Sequence, residues 1–289
     1  MEEGEGYALD FAFQAVGAEG WSDAVVVVDA DSETSTNLLE AYAARLAGGA
    51  GAVQAHYGVL NPWASWRTRL MTIAQEAFHT IRSRARERLG LSCGLRGTGW
   101  CVTHELLRQV PYRAYSLTED VEYSIDLGLA GHRVLFAGEA TCDGEMVTGA
   151  KAAGTQRERW ERGRFQLVRS RTAPLLRAAW RRRDPVCLDL ALDLLLPPLS
   201  YVALMVAAFG AAAAAANLWQ PQFRIWAWLA AGCGASLGYY VLRGWQLSGM
   251  GARGLLDLAA APAFIGWKLL VMARRGPVQG WIRTDREKR

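Results

Sequence analysis

The sequence predicts an α/β fold, with a mostly parallel sheet, followed by a C-terminal region of transmembrane or interfacial helices. Two observations lead to this prediction. Over residues 1–185, short runs typical of buried strands alternate with longer segments of helical periodicity. After that the composition changes, because residues 194–223 are 30 consecutive residues without a formal charge and residues 225–242 are 18 more.

The elements of the first region follow from local periodicity. Residues 7–17 and 34–47 carry apolar side chains at helical spacing, and residues 24–28, with four valines in a row, are typical of a buried parallel strand. Residues 52–57 alternate like a strand, and residues 66–89 form a long predicted helix. We expect the later elements to be a strand at 94–102, a helix at 119–130, a strand at 132–137 and a basic helix at 156–173.

Charge divides the chain into two parts. Residues 1–150 carry 11 basic and 20 acidic side chains, whereas residues 151–289 carry 21 basic and 8 acidic ones. A buried helical hairpin of a soluble domain is the alternative to a membrane for the two uncharged runs. We expect a domain over 1–185, a membrane region over 186–275 with spans at about 194–216 and 225–243, and a basic cytoplasmic tail over 276–289.

Arginines indicate an orientation in the membrane. Residues 181–183 are arginines before the first uncharged run, and Arg243 follows the second, so both ends should lie in the cytoplasm and residues 217–222 outside. Residues 255–273 have basic neighbours at both ends, which favours an interfacial or re-entrant helix. We therefore expect an integral protein of the inner cell membrane with a cytoplasmic domain and no nucleic-acid partner.

The cysteines and the N-terminus exclude other classes. The five cysteines include no CxxC pair, which favours reduced thiols and argues against a zinc site. The N-terminus is acidic, which does not fit a secretory leader.

Two aspartates follow the valine-rich strand directly. Asp29 and Asp31 lie at its carboxyl end, which is where open α/β sheets bind ligands. If the backbone stays extended, both carboxylates point the same way and could hold a divalent cation that also binds a diphosphate. A solvated turn is the alternative.

Thr118, Glu119 and Asp120 open a predicted helix. One interpretation is capping, because threonine is a good N-cap and acids stabilise the first turn. The functional interpretation makes Asp120 a general base that takes the proton from an acceptor hydroxyl.

The basic helix carries a QxxRW pattern. Gln156, Arg159, Trp160 and Gly163 fall at i, i+3, i+4 and i+7, so they share one face. An amide, a guanidinium and an indole there can bind a phosphate and stack on a sugar. A basic helix on a membrane surface is the alternative.

The chain resembles the family 2 glycosyltransferases in the order of three motifs. These are an aspartate pair after a strand, a TED sequence and a QxxRW helix, and all three precede the apolar helices. Cellulose, chitin and hyaluronan synthases and ceramide glucosyltransferases belong to that family. The resemblance covers residues 7–185 and, more loosely, the membrane region. It implies a GT-A fold and a glycosyltransferase that uses Mg²⁺ or Mn²⁺. The implied reaction transfers a sugar with inversion from a nucleotide sugar, which we expect to be a UDP-sugar, to an acceptor hydroxyl.

The resemblance also assigns roles to residues. Asp31 matches the metal ligand and Asp29 would lie near the nucleotide, while Asp120 matches the base with Glu119 beside it. Gln156, Arg159 and Trp160 match positions that contact the diphosphate and the acceptor end. Such enzymes shape the acceptor site with the positions that match Gly97, Thr98, Gly99 and Trp100. A tight connection to a strand would also explain the glycines among them.

The start of the chain departs from the family pattern. Residues 4–9 resemble a GKGYAL segment that follows the nucleotide-base-binding strands, with Glu5 where lysine usually stands. We therefore expect that the sequence is N-terminally truncated by at least one βαβ unit of roughly 30 residues. A catalytically inactive, membrane-anchored binding or assembly subunit is the alternative function. For an active enzyme, we expect a lipid, lipid-linked or glycan acceptor at the cytoplasmic membrane face.

Overall fold

Helices and strands alternate up to residue 144, and helices follow. The computed structural model describes residues 4–263, 265 and 266, without the side chains of residues 150–153 and 155–158. The first part consists of α1 (Glu5–Glu19), β1 (Ala24–Val27), β2 (Ser32–Thr34), α2 (Leu38–Ala47), β3 (Ala52–Val59), α3 (Trp66–Gln75), a π-helical segment (Glu76–Ile81), α4 (Arg82–Arg88), β4 (Trp100–Thr103), α5 (His104–Gln109), α6 (Glu119–Leu129) and β5 (Val134–Gly144). The second part consists of α7 (Ala150–Arg182), α8 (Pro185–Leu195), α9 (Leu199–Trp219), a 3₁₀ turn (Pro221–Phe223), α10 (Arg224–Ser248) and α11 (Gly251–Ala259).

The predicted α/β fold is confirmed, and its sheet is mixed. The strand order is β1-β4-β3-β5-β2, with β3 and β5 parallel and the other three described pairs antiparallel. The prediction of mostly parallel neighbours is wrong, because β2 is antiparallel to β5 and because the chain reverses just before β4, which is antiparallel to β1 and β3. That reversal uses Gly97 and Gly99, whose φ angles of 55° and 71° favour glycine.

The sheet is strongly curled. Its edge strands β1 and β2 are joined by residues 28–31 alone. In a flat sheet, β1 and β2 would lie four strand spacings of about 4.8 Å apart. That distance is close to the greatest length that residues 28–31 can span when fully extended. Curling therefore brings both edge strands to the turn that carries Asp29 and Asp31.

Apolar side chains cover both faces of the sheet. On one face, α1, α5 and α6 bury aromatic residues around Trp100, including Phe13, Tyr112 and Tyr123. On the other face, α2 buries Tyr42 against β3, β4 and β5. A third cluster packs α7 and α8 onto α6, so that the basic helix is fixed to the domain.

Most predicted elements are confirmed, and the bounds of several differ, among them β5, which runs to Gly144 although the predicted strand ended at residue 137. The helix predicted over 66–89 is continuous apart from the π-helical segment, and α7 extends beyond both ends of its prediction. The strand predicted at 94–102 is wrong, because residues 91–97 form no strand and β4 begins at Trp100. The helix predicted from residue 34 begins at Leu38, because residues 32–34 pair with β5.

Two described helices are long and apolar enough to cross a membrane. They are Leu199–Trp219 and Pro221–Ser248, and 6% of the most apolar stretch of each is buried. Helices this exposed do not fit a buried hairpin in a soluble domain, whose apolar residues would be covered. The Pro197-Pro198 pair separates α9 from α8, so the first of these helices begins at Leu199.

The segment predicted to lie at the membrane surface is described only in part. Helix α11 begins at Gly251, and Asp257 on it accepts a hydrogen bond of 2.5 Å from Nε of Arg69. This ion pair attaches α11 to α3. Residues 267–273, and the tail predicted over 276–289, lie outside the described residues.

Candidate active site

The turn after β1 holds both aspartates of the first motif. The amide of Ser32 donates to the carbonyl of Asp29 at 3.0 Å, which closes a turn over residues 29–32. The extended backbone that the sequence analysis assumed is therefore wrong here, because the chain has to turn from β1 into β2. The amide of Asp29 is itself fixed, since it donates to Oγ1 of Thr98 at 2.9 Å.

The glycine loop, residues 97–99, joins this turn to the second motif. The amide of Gly97 donates to Oδ2 of Asp120 at 2.6 Å, while Thr98 holds Asp29. Two motifs that lie 91 residues apart in the sequence are thus attached to three consecutive residues. Asp29 and Asp120 therefore lie on either side of one loop.

A buried glutamine holds the glycine loop. Gln54 on β3 is 1% exposed, and its Oε1 accepts from the amide of Arg96 at 2.8 Å. Its Nε2 donates to the carbonyls of Thr98 and Gly99, both at 3.0 Å. Because these bonds fix the backbone on either side of Gly97, they fix the amide that binds Asp120.

Carboxylates crowd the centre of the site. Burial and the charges of Asp120 and Glu5 raise the pKa of Glu119 to about 8, against the opposing charge of Arg159. Burial also raises the pKa of Asp120, whereas hydrogen bonds from the amides of Gly97 and Val121 oppose that rise. Asp120 is therefore the carboxylate of this pair that the Gly97 amide holds in place.

Glu5 belongs to the same cluster. Its pKa is raised by burial and by the charges of Asp29 and Asp120, and it is lowered by Arg159. The N-terminal turn of α1 reaches the site because Gly6 packs directly on the carbonyl of Ala114, where a Cβ would clash. Glu5, which stands where the family pattern has lysine, therefore lies near both Asp29 and Asp120.

Thr118 does not cap α6. Its side chain makes no capping hydrogen bond, and its buried Oγ1 has no hydrogen-bond partner among the described residues. The capping interpretation is therefore wrong for this side chain, which lies against Gly163 of α7. A Cβ at Gly163 would lie 2.8 Å from both Oγ1 and Cγ2 of Thr118.

The third motif reaches the site through α7. Gly163 contacts Thr118, and Arg159 and Trp160, which precede it on the same face, are half-buried. Arg159 acts electrostatically on Glu5 and Glu119, so the guanidinium faces the acidic cluster. Gln156 lies on α7, and its side chain is outside the described residues.

Thr98 and Trp100, which the resemblance assigns to the acceptor site, are buried beneath the glycine loop. Thr98 is fully buried and binds the amide of Asp29. Trp100 is 1% exposed, packs against Phe13 in the core, and donates from Nε1 to the carbonyl of Gly97 at 2.9 Å. Both side chains are buried and hold the glycine loop.

Sequence reasoning missed Tyr57 and Gln54. The Tyr57 ring lies beside Gly97 and Gly144, and its pKa is raised by burial and by the charges of Asp29 and Asp120. Both residues belong to β3, where an alternating strand pattern gives no functional signal. A buried glutamine within a strand was the one available clue, because a buried amide needs hydrogen-bond partners.

Asp29 and Asp31 could hold a divalent cation only if substrate phosphates and water completed its coordination. The described residues contain no group of three or more His, Cys, Asp or Glu side chains arranged to hold a metal ion. Mg²⁺ usually takes one or two protein carboxylates and completes its shell with substrate phosphates and water. Asp31 on the turn, with Asp29 beside it, matches that pattern, and the crowded carboxylates favour positive charge.

Comparison with known families agrees with this geometry. A family model described as glycosyl transferase family group 2 matches residues 24–243. The match begins at the first residue of β1 and ends within α10, so it includes both aspartate motifs, the QxxRW helix, all of α9 and most of α10. A search of curated proteins gave no match.

Proposed function

Because the chain belongs to glycosyl transferase family group 2, we propose that it transfers a sugar from a UDP-sugar to an acceptor hydroxyl with inversion at the anomeric carbon. The observation that carries the proposal is the hydrogen bond of 2.6 Å from the amide of Gly97 to Asp120. It holds a carboxylate at the edge of the sheet beside the Asp29 turn. A positioned carboxylate there can act as a general base.

Each residue of the site has its own role in the proposed reaction. Asp120 accepts the proton of the acceptor hydroxyl as that oxygen attacks the anomeric carbon. The bond from this carbon to the diphosphate oxygen breaks, and the nucleotide diphosphate leaves on the opposite face. Arg159, with Gln156 on the same helix face, binds the diphosphate, and Trp160 lies at the acceptor end.

A divalent cation, Mg²⁺ or Mn²⁺, would be held by Asp31, with Asp29 towards the nucleotide. When bound, it would neutralise charge that develops on the leaving diphosphate. The turn that carries Asp29 and Asp31 is closed by the Ser32 amide and is bonded to Thr98.

We place the reaction at the cytoplasmic face of the inner membrane. Two exposed apolar helices follow the domain, and basic residues flank them on one side. This location supports a lipid, a lipid-linked sugar or a growing glycan as the acceptor.

Two matched variants test the role of Asp120. Asp120→Asn can still accept the hydrogen bond from Gly97, so donor binding should persist, while transfer should fall by about 10²–10⁴ with the loss of the base. Glu119→Gln should reduce transfer less. Binding and turnover of UDP-sugars are measured separately on the full chain in detergent, with products identified by mass spectrometry.

The outcomes separate the possible functions. Near-normal transfer by Asp120→Asn would refute the base assignment. If the unmodified chain binds donor but forms no product with any acceptor class, the non-catalytic binding subunit becomes the better explanation. Asp31→Ala should abolish Mn²⁺-dependent donor binding, and an unchanged dependence on Mn²⁺ would contradict the metal assignment.

A further inference from the structure

A π-helical segment lies between the candidate membrane helix α10 and the sheet. It is Glu76–Ile81, which interrupts the helix that begins at Trp66 and ends at Arg88. A π-helix is rare, is usually a single turn and is often found at a functional site. Because the α-helix is the more stable form, contacts with the rest of the protein have to favour the π form here.

On one side, α10 packs closely against this segment. The hydroxyl of Tyr240 donates to the carbonyl of Ala77 at 2.7 Å, and Ala77 is buried. One turn further along α10, a Cβ at Gly244 would lie 2.8 Å from the carbonyl of Ile73 and 2.9 Å from Cβ of Ala77. The glycine therefore permits the close approach of the two backbones, and the tyrosine hydroxyl fixes their register.

On the other side, the segment contacts the end of β3. The ring of His79 lies edge-on to the ring of Tyr57, with 5.3 Å between the centroids and 61° between the planes. Oε1 of Glu76 lies 3.0 Å from Nε2 of His56, the preceding residue of β3. The hydroxyl of Thr80 donates to Oε2 of the same glutamate at 2.6 Å. Side chains of this segment thus contact two successive residues of β3.

The contact between His79 and Tyr57 is one of packing. His79 is buried, and burial, followed by the charge of Arg96, lowers its pKa well below the ordinary value, so the imidazole is neutral near pH 7. Arg96 pairs at 3.3 Å with Asp193 of α8, which also pairs with Arg82 and Arg86. A neutral ring packed edge-on against a phenol ring in a dense interior passes on any displacement of its backbone.

Tyr57 in turn packs against the glycine loop. Its Cε1 would lie 3.6 Å from a Cβ at Gly97, and its Cε2 would lie 3.0 Å from a Cβ at Gly144. Burial, and then the charges of Asp29 and Asp120, raise its pKa, so the phenol lies within range of both carboxylates. Since the amide of Gly97 holds Asp120, a displaced Tyr57 ring would disturb the loop that fixes this carboxylate.

We propose that Tyr240 of α10 is a positioning residue for the active site and acts through the π-helical segment on the ring of Tyr57. Its hydroxyl fixes the segment, the segment places His79 against Tyr57, and Tyr57 packs against Gly97. A change in the tilt of α10 would therefore reach Asp120. The effect on transfer rests on the proposed function, whereas the placement of the Tyr57 ring does not.

Fluorine NMR of the full chain in detergent tests this placement. A single 3-fluorotyrosine at position 57 keeps the ring and its hydroxyl, and its resonance reports the surroundings of the ring. Tyr240→Phe removes one hydroxyl and keeps the aromatic ring, so the fold should persist while the resonance shifts or broadens. Gly244→Ala, which pushes α10 away from the segment, should do the same.

Two matched variants on the same helix serve as controls. Tyr239→Phe removes the hydroxyl of the adjacent tyrosine, which is 68% exposed, and Gly238→Ala adds a methyl group where there is open space. Neither should change the resonance. An unchanged resonance in Tyr240→Phe, or an equal change in Tyr239→Phe, would overturn the proposal.

Sugar transfer by the unlabelled variants tests the consequence for the site. Tyr240→Phe should lower kcat about tenfold, because small displacements of reacting groups are costly. Its affinity for a UDP-sugar should not change, since the turn at Asp29 is held by Ser32 and Thr98. A normal kcat in a variant with a changed resonance would overturn the positioning role. If the unmodified chain transfers no sugar, the proposed function fails, and the fluorine resonances alone decide whether Tyr240 places the Tyr57 ring.

Discussion

Replacing Gln54 by methionine tests whether the glycine loop holds the base in place. Methionine has a similar volume but lacks the donor and the acceptor of the amide. The substitution leaves the amide of Arg96 and the carbonyl of Thr98 without their partner on β3. The carbonyl of Gly99 keeps its bond of 2.7 Å from the hydroxyl of Tyr42.

The expected loss of stability follows from these bonds. A buried polar group left without a partner costs about 1–3 kcal/mol, so two such groups should lower the free energy of unfolding by about 2–6 kcal/mol. That is a large part of the roughly 5–15 kcal/mol by which domains are stable. Gln109→Met is the matched control, because Gln109 is exposed and bonds only to Glu105 at 3.3 Å, and it should change stability by less than about 0.5 kcal/mol. Urea unfolding in detergent measures both.

The same substitution should change the pH dependence of transfer. The Gly97 amide favours the ionised form of Asp120, so a looser loop should raise the pKa of this carboxyl further. The base works only when deprotonated, and activity is lost as the pH falls through its pKa. The acid limb of the kcat profile should therefore move to higher pH by about one unit, which corresponds to about 1.4 kcal/mol. An unmoved acid limb in a destabilised but folded variant would refute this reasoning.

Three other predictions concern helix packing, the buried ion pairs and the membrane. Gly163→Ala should press on Thr118 and reduce transfer at least about tenfold while costing about 1–3 kcal/mol of stability, whereas Gly210→Ala, which has open space around it, should do neither. Asp193→Asn leaves buried guanidinium groups unpaired and should cost about 3–5 kcal/mol in urea unfolding at neutral pH. The pKa of Asp193 is lowered in the folded protein, so its contribution to the free energy of unfolding is present above its ordinary pKa of about 4 and is lost as the pH falls through the folded pKa. The unmodified chain and Asp193→Asn should therefore become equally stable in acid. A cysteine placed at Gln220 should react with an impermeant reagent on intact cells in a background without other accessible thiols, and the absence of labelling would contradict the proposed orientation.

Much of the fold could be predicted because its signals are local. Four valines before Asp29 predicted a strand at the right position, although β1 is a half-buried edge strand and pairs antiparallel where a buried parallel strand was expected. Helical periodicity predicted the helix from residue 66 to within a residue or two of its observed ends. The uncharged runs predicted the two exposed apolar helices. Strands, helices and membrane spans have characteristic periods and lengths, so a window of the sequence carries the information.

The motif residues could be named from the sequence, but what holds them could not. Gln54 lies in an ordinary strand pattern, and its role depends on the glycine loop, about 43 residues further along the chain. The same holds for the pairing of Asp193 with Arg82, which are separated by 111 positions. At Thr118 the local sequence favours a cap, but in the structure the side chain makes no capping hydrogen bond and lies against Gly163 of a helix distant in the sequence. Strand order, the curl of the sheet and these contacts form between segments far apart in the chain, and hydrogen-bond geometry and close packing select them only when the segments meet.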